Sequence, residues 1–264
     1  MTENDFVFDG VTLSDHGYIV TWDGTYSEDG VVSSMSYETV KASKSDVVHK
    51  VSSSYEENYH VDVTIAKSPC GDENMYLTND DISEMSRWLC RKEYKWFRWI
   101  DDNLGQDEIW FEVQITMDKE AYGDSIIGLK LHISANRPYG VTREHKIKWN
   151  NAEGQHIVNI YSDEEGYIKP DVVITARTDG DISILNEREN RTTEIKNCVA
   201  GEVITIHGGD LLQITSTEDH DFAKDFNYVF PRFYNEFEKN KNTITVTGMC
   251  DIEIRYRGLR KVGM

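Results

Sequence analysis

The chain has 264 residues, of which 39% are hydrophobic and 11% aromatic, enough apolar material to exclude a disordered chain. Its length suits two domains of about 100–150 residues each. Asp and Glu number 47 against 28 Lys and Arg, a formal charge of -19, which leaves no cationic surplus for gripping nucleic-acid phosphates or an anionic membrane.

The acidic start, Met1-Thr2-Glu3-Asn4-Asp5, is unlike a basic signal peptide, and no apolar run approaches the roughly 18 residues of a membrane span. Export by the general secretory route and membrane insertion are therefore not expected. Cys70, Cys90, Cys198 and Cys250 are widely spaced, without a C-x-x-C pair or Cys/His clustering, and read as thiols of a protein folded in a reducing cytoplasm.

In chain order, Phe6-Val7-Phe8, Val11-Thr12-Leu13 and Tyr18-Ile19-Val20 are short strands cut by D-G and H-G turns. Residues 23–34, rich in Gly, Ser and acids, read as a mobile stretch. Tyr59 to Ile65 follows as a half-buried strand with Val61, Val63 and Ile65 on one face. Thr78 is the expected N-cap of one clear helix near 79–91. Asp80 and Asp81 suit its positive end, Ile82, Met85 and Leu89 form its apolar stripe, and Trp88 and Cys90 flank that stripe. Tyr94, Trp96, Phe97 and Trp99 read as an aromatic cluster for core packing or a protein contact. Trp110 to Ile115 and Ile126 to Ile133 return to strand periodicity.

Arg137-Pro138-Tyr139-Gly140 interrupts the pattern, which places the domain boundary there: 1–140 as an α+β N-terminal domain and 141–264 as a second, all-β domain. Eight strands are expected in the second. They are His156 to Tyr161, Val172 to Ala176, Asp181 to Leu185, Thr192 to Ile195, Glu202 to His207, Leu211 to Thr215, Thr243 to Thr247 and Asp251 to Tyr256. Asp179-Gly180 and Gly208-Gly209 read as hairpin turns, the latter pair through positive φ. Phe230-Pro231-Arg232-Phe233 and the two strands after it read as the closing hairpin of a β-sandwich or jelly roll. The fold class is thus mainly β with one clear helix.

Chemistry is hard to locate. His207-Gly208-Gly209-Asp210 has the look of an esterase oxyanion loop, but no G-x-S-x-G elbow accompanies it. Asp163-Glu164-Glu165, or Asp179 with Asp181, cannot be singled out as a glycosidase pair where acids are this abundant. Asp101, Asn103, Gly105 and Glu112 match calcium-loop positions one, three, five and twelve, but Gln106 replaces the glycine of position six and Glu112 falls in a strand. The eight histidines form no H-x-x-x-H or H-E-x-x-H pair. No catalytic, metal or cofactor-binding residue is nominated, and a non-enzyme is expected.

With these motifs laid out, the chain resembles the distal tail (Dit) proteins of long-tailed bacteriophages over nearly its whole length. The resemblance rests on Phe6-x-Phe8-Asp9-Gly10 with Asp15 and Gly17, the capped helix from Thr78 to Trp88-Leu89, and the Arg137-Pro138-Tyr139-Gly140 junction. It continues through Pro170 to Ile174, Gly209 to Ile214, Phe230-Pro231 and Asn242 to Gly248 in family order. Departures are Ile214-Thr215 where Ile-Asp is frequent, and Asn240-Lys241-Asn242 where Gly-x-Asn is frequent; residues 23–54 match nothing in the family pattern.

The resemblance implies a structural virion protein at the distal end of the tail, made in the host bacterial cytoplasm. It implies a hexameric ring built by the N-terminal domains, with galectin-like C-terminal sandwiches projecting outward. The implied neighbours are the tail tube protein, the tail-tip hub and receptor-binding or peripheral baseplate proteins, with DNA passing through the lumen without specific binding; the net charge of -19 suggests that acids line that lumen. Two alternatives stand beside it. One is a carbohydrate-binding module, since the same sandwich hosts lectins; the other is the adaptor ring of a phage-tail-like injection particle.

Overall fold

The computed structural model describes residues 5–21, 35–43, 46–55, 58–69, 75–100, 108–209 and 212–261. The stretch 23–34, the calcium-like residues 101–107 and Cys70 lie outside them. The chain divides into two compact units, 1–141 with 261–264, and 142–260.

The first unit contains β1 (Phe6–Phe8), β2 (Val11–Thr12), β3 (Tyr18–Thr21), β4 (Met35–Lys41), β5 (Val48–Tyr55), β6 (His60–Lys67), α1 (Asn79–Leu89), β7 (Lys95–Trp99), β8 (Ile109–Tyr122) and β9 (Ser125–Ala135). A sheet in the order β2-β1-β7-β8-β9-β6-β3 carries the core, while β4 and β5 pair with each other as a separate ribbon. Alternation decides the buried face: Phe97 of β7, Phe111, Val113 and Ile115 of β8, Leu129, Leu131 and Ile133 of β9, and Val63 and Ile65 of β6 are all buried together.

Helix α1 closes this core. Thr78 Oγ1 accepts the Asp81 N–H at 3.2 Å and Asp81 Oδ2 accepts the Thr78 N–H at 2.7 Å, a reciprocal capping box. Met85, Trp88 and Leu89 are buried. The expected stripe is therefore wider, because Trp88 belongs to it instead of flanking it: its ring stacks on Phe6 at 6.1 Å and lies tilted against His16 at 4.3 Å. Cys90 does lie outside the stripe, exposed at the C-cap. Of the expected aromatic cluster, Phe97 is fully buried against Phe6 and Trp99, whereas Tyr94 is exposed.

β10 (Gly140–Thr142) carries the chain across the boundary. The second unit contains β11 (His145–Trp149), β12 (Gly154–Asn159), β13 (Gly166–Ile168), β14 (Asp171–Ala176), β15 (Gly180–Asn186), β16 (Arg191–Cys198), β17 (Val203–His207), β18 (Gln213–Ser216), α2 (Phe222–Asp225), β19 (Phe233–Asn235), β20 (Lys241–Thr247), β21 (Cys250–Tyr256) and β22 (Leu259–Arg260). Its two main sheets run β11-β21-β14-β17-β18 and β12-β20-β15-β16, with β13 and β19 as a small ribbon. Val172, Ile174, Ile204, Ile206, Ile252 and Ile254 from the first sheet share one buried core with Val158, Ile182, Ile184, Ile195, Ile244 and Val246 from the second. This is a β-sandwich.

Two of the expected hairpins are overturned. β20 and β21 follow one another in sequence but pair with different neighbours, β12 and β15 for the former, β11 and β14 for the latter. The chain arches from one sheet to the other at Gly248, so the inward rows Ile244-Val246 and Ile252-Ile254 both face the shared core. The Asp179-Gly180 turn is an arch as well, since β14 pairs with β17 and β21 while β15 pairs with β16 and β20. Gly180 has positive φ, at 139°.

Gly208-Gly209 is corrected too. β17 and β18 do pair, but neither glycine adopts positive φ. Gly208 is required by close approach: a Cβ there would stand 2.1 Å from the Pro170 carbonyl oxygen. Phe230-Pro231 leads into β19, which pairs with β13 outside both main sheets, so it is not the turn of a closing hairpin.

Candidate functional site

The acids that sequence left open prove to be structural. Asp179 accepts the Ala200 N–H at 2.8 Å and Asp181 the Asn197 N–H at 3.0 Å, each fastening one chain segment to another. Asp163 pairs with Arg260 at 2.8 Å, and Glu165 accepts the Phe237 N–H at 3.4 Å. Glu112 lies in β8 as expected, where it receives Asn136 Nδ2 at 2.9 Å and faces Arg137 at 3.4 Å. Among the described residues no group of three His, Cys, Asp or Glu is placed to hold a metal.

His207 and Gly208 do not form an oxyanion loop. Asp171 Oδ1 receives the Gly208 N–H at 2.8 Å, so that donor is already satisfied. The cleft between the sandwich sheets at Trp149, Asn186, Arg191 and Arg232 holds only about 20 Å³ of free space, room for about one water. Trp149 is stacked on His156 at 4.2 Å, with the planes 13° apart, which removes it as a sugar platform.

One polar cluster was not legible in sequence, because its members are spread over 24 residues without a motif. Glu202 is fully buried; its Oε1 lies 2.6 Å from Ser216 Oγ and 2.7 Å from His220 Nδ1. His220 Nε2 lies 3.7 Å from Asp225 Oδ2, too far for a hydrogen bond. In a Ser-His-acid relay the serine bonds the imidazole. Here serine and imidazole both bond the same carboxylate oxygen, which makes an anchor for the segment around α2 and gives no activated nucleophile. The Cys198 and Cys250 thiols are likewise unsuited to attack, burial pushing them up to about 12 and about 11.

What the molecule presents is surface. In the β4–β5 ribbon Tyr37, Val40, Val48 and Val51 are each more than half exposed. On the β8–β9 hairpin the β8 strand runs past the core, its residues from Asp118 to Tyr122 lacking any buried side chain, with Tyr122 79% exposed near the tip. In the second unit Phe237 is equally exposed, on a turn fastened by Arg188 to the Tyr234 and Lys241 carbonyls at 3.2 and 3.4 Å. No helix among the described residues is long and apolar enough to cross a membrane.

The described residues form a sheet-plus-helix unit followed by a β-sandwich, with an exposed apolar ribbon at β4–β5. Comparison with known proteins gives both units a name. Residues 1–137 match the profile described as phage tail protein N-terminal domain, and residues 138–256 the one described as phage tail C-terminal domain. The chain belongs to this family of phage tail proteins. It is also similar in fold to the Dit protein of phage SPP1, with a TM-score of 0.64 and 11% identity over 96% of this chain and 98% of that one. That protein is described as a paradigm of the hub adsorption apparatus in phages infecting Gram-positive bacteria. No curated protein matches in sequence.

Proposed function

We propose that the chain is a distal tail protein: six copies close into a ring between the tail tube and the tail tip, and the sandwiches offer docking points for peripheral or receptor-binding proteins. The observation that carries this reading is the end-to-end likeness to SPP1 Dit, which spans both units in order. The β4–β5 ribbon supports it physically. A two-stranded ribbon is marginal in water, and Tyr37 and Val48, left open on one face of it, call for a covering surface. In a closed ring that surface is the next copy, met head to tail.

The role is structural and non-enzymatic in this reading. Six chains would bring 6 × 19 = 114 formal negative charges, suited to a lumen through which DNA slides without sticking. Native mass spectrometry of the full chain, alone and with the adjacent tube and tip proteins, tests the ring. Six chains of 30.5 kDa predict about 183 kDa, or twice that for two stacked rings. A strict monomer in every mixture would overturn it.

A further inference from the structure

The polar face of the N-terminal sheet carries a histidine held from both sides. His132 lies on β9, between β6 and β8. Its Nδ1 is 2.7 Å from Asp62 Oδ1 on β6, and its Nε2 is 3.1 Å from Asp118 Oδ2 on β8. Carboxylates only accept, so both bonds form together only when both ring nitrogens carry hydrogen. Alternation puts His60 and Asp62 of β6, Lys130 of β9, and Asp118 and Glu120 of β8 on this same face; Lys130 Nζ also meets Asp62 at 3.3 Å.

The position of Asp118 gives the contact a consequence. Ile115 is the last buried residue of β8, and from Asp118 to Tyr122 no side chain of that strand is buried. The β8 strand of this outer arm is therefore held by its ladder hydrogen bonds to β9 and by side-chain contacts, of which His132–Asp118 is one, while the β9 strand opposite is fixed by buried Leu129 and by its own pairing with β6.

We propose that His132 is a proton-operated clamp at the root of this arm, closed across three strands when both ring nitrogens carry hydrogen and open on the β8 side when one is lost. The shorter bond to Asp62, backed by Lys130, keeps the remaining hydrogen on Nδ1. The bare Nε2 then points its lone pair at the Asp118 carboxylate, and attraction becomes repulsion. The hydrogen bonds to Asp62 and Asp118 also hold the imidazole above its usual titration range. Closure is thus complete below about pH 6.5, the ordinary histidine value, and is lost as pH rises through the higher folded value. The inference does not depend on ring formation.

Hydrogen exchange of the full-length chain, read by mass spectrometry between about pH 5.5 and 8.5 and corrected for intrinsic rates, tests it. Peptides covering 116–122 of β8 are expected to lose about two- to fivefold in protection across the range, the scale of a partly exposed ion pair, while β9 and sandwich peptides stay level. His132→Gln removes the pH dependence, and Asp118→Asn reduces it and lowers the His132 titration midpoint seen by NMR. Arm protection independent of pH in the wild type would overturn the clamp. So would a His132 midpoint unchanged by Asp118→Asn.

Discussion

His220 Nδ1 stands 2.7 Å from Glu202 Oε1, and the carboxylate it reaches is fully buried. Ser216 Oγ bonds the same oxygen at 2.6 Å and the Val199 N–H reaches Oε2 at 3.0 Å. Burial opposes the charge on Glu202, but these donors outweigh it and hold the carboxyl below its ordinary range. The folded protein binds this proton less readily than the unfolded chain does. Its stabilisation is therefore full above about pH 4.3, the unstructured glutamate value, and is lost as pH falls through the lower folded value. Glu202→Gln is expected to cost about 1–3 kcal/mol at neutral pH, and the difference from wild type should shrink in acid. Urea titrations at pH 7 and near pH 3 measure it; an equal cost at both would show that shape, not charge, matters.

Gly208 and Gly209 make a paired test of close approach against turn conformation. Both have φ outside the left-handed region, but a Cβ on Gly208 would stand 2.1 Å from Pro170 O and 2.5 Å from Lys169 O, whereas one on Gly209 meets nothing within 4 Å. Gly208→Ala must push two backbone segments apart, at about 3 kcal/mol, and Gly209→Ala should stay within about 0.5 kcal/mol. Thermal unfolding followed by circular dichroism separates them. Equal effects would restore the turn reading that the sequence suggests.

That pair also shows where legibility stopped. Eight strands of the second unit could be read because residues such as Val172, Ile174, Ile252 and Ile254 alternate cleanly with polar ones, and period two is a local property, whereas β11 and the short β13, β19 and β22 are not among those expected. Sheet membership could not. Asp179-Gly180 and Gly248 mark reversals of direction, and the same residues serve a hairpin or an arch equally well. Which one forms depends on whether Ile182 and Val246 face their core from the near sheet or the far one. The β4–β5 ribbon escaped because Ser36, Ser52, Ser53 and Ser54 dilute the alternation and its apolar side chains stay exposed. Glu202–His220 escaped for another reason: two residues 18 apart in the chain meet only after β17 and β18 pair. The N-cap of α1 was legible, since Thr78 and the acidic first turn after it are local and need no tertiary context, although Asp81 reads in the sequence only against the helix dipole and not as the other half of a capping box.

Thr78→Ala should remove the acceptor for the Asp81 N–H and cost about 1 kcal/mol, with Thr78→Ser retaining most of it. Burial opposes ionisation of Asp81, but the Thr78 N–H and hydroxyl and Lys67 at 3.1 Å outweigh it, and its carboxyl sits below the usual aspartate range. The cap therefore strengthens above about pH 3.9 and weakens as acid passes the folded value. Five of the six tryptophans precede residue 141, so intrinsic fluorescence reports the first unit. No shift in that unit's transition on Thr78→Ala would mean that packing of Met85, Trp88 and Leu89 alone sets helix stability.

The ribbon gives a prediction that separates assembly from folding. Val40 and Val48 are 55% and 54% exposed, and β4 and β5 pair only with each other among the described residues. A lysine at either place should change the stability of the single chain by no more than about 0.5 kcal/mol. In a head-to-tail ring the change at Val48 puts an unpaired charge into every apolar contact at once, at about 2 kcal/mol or more for each interface. Both variants are therefore expected to unfold like wild type, while the high-mass species is lost in native mass spectrometry for Val48→Lys, and Val40→Lys, on the opposite face, is the control. If Val48→Lys assembles at wild-type concentrations, that face of the ribbon lies outside the interface between copies, and the covering surface it calls for belongs to another protein.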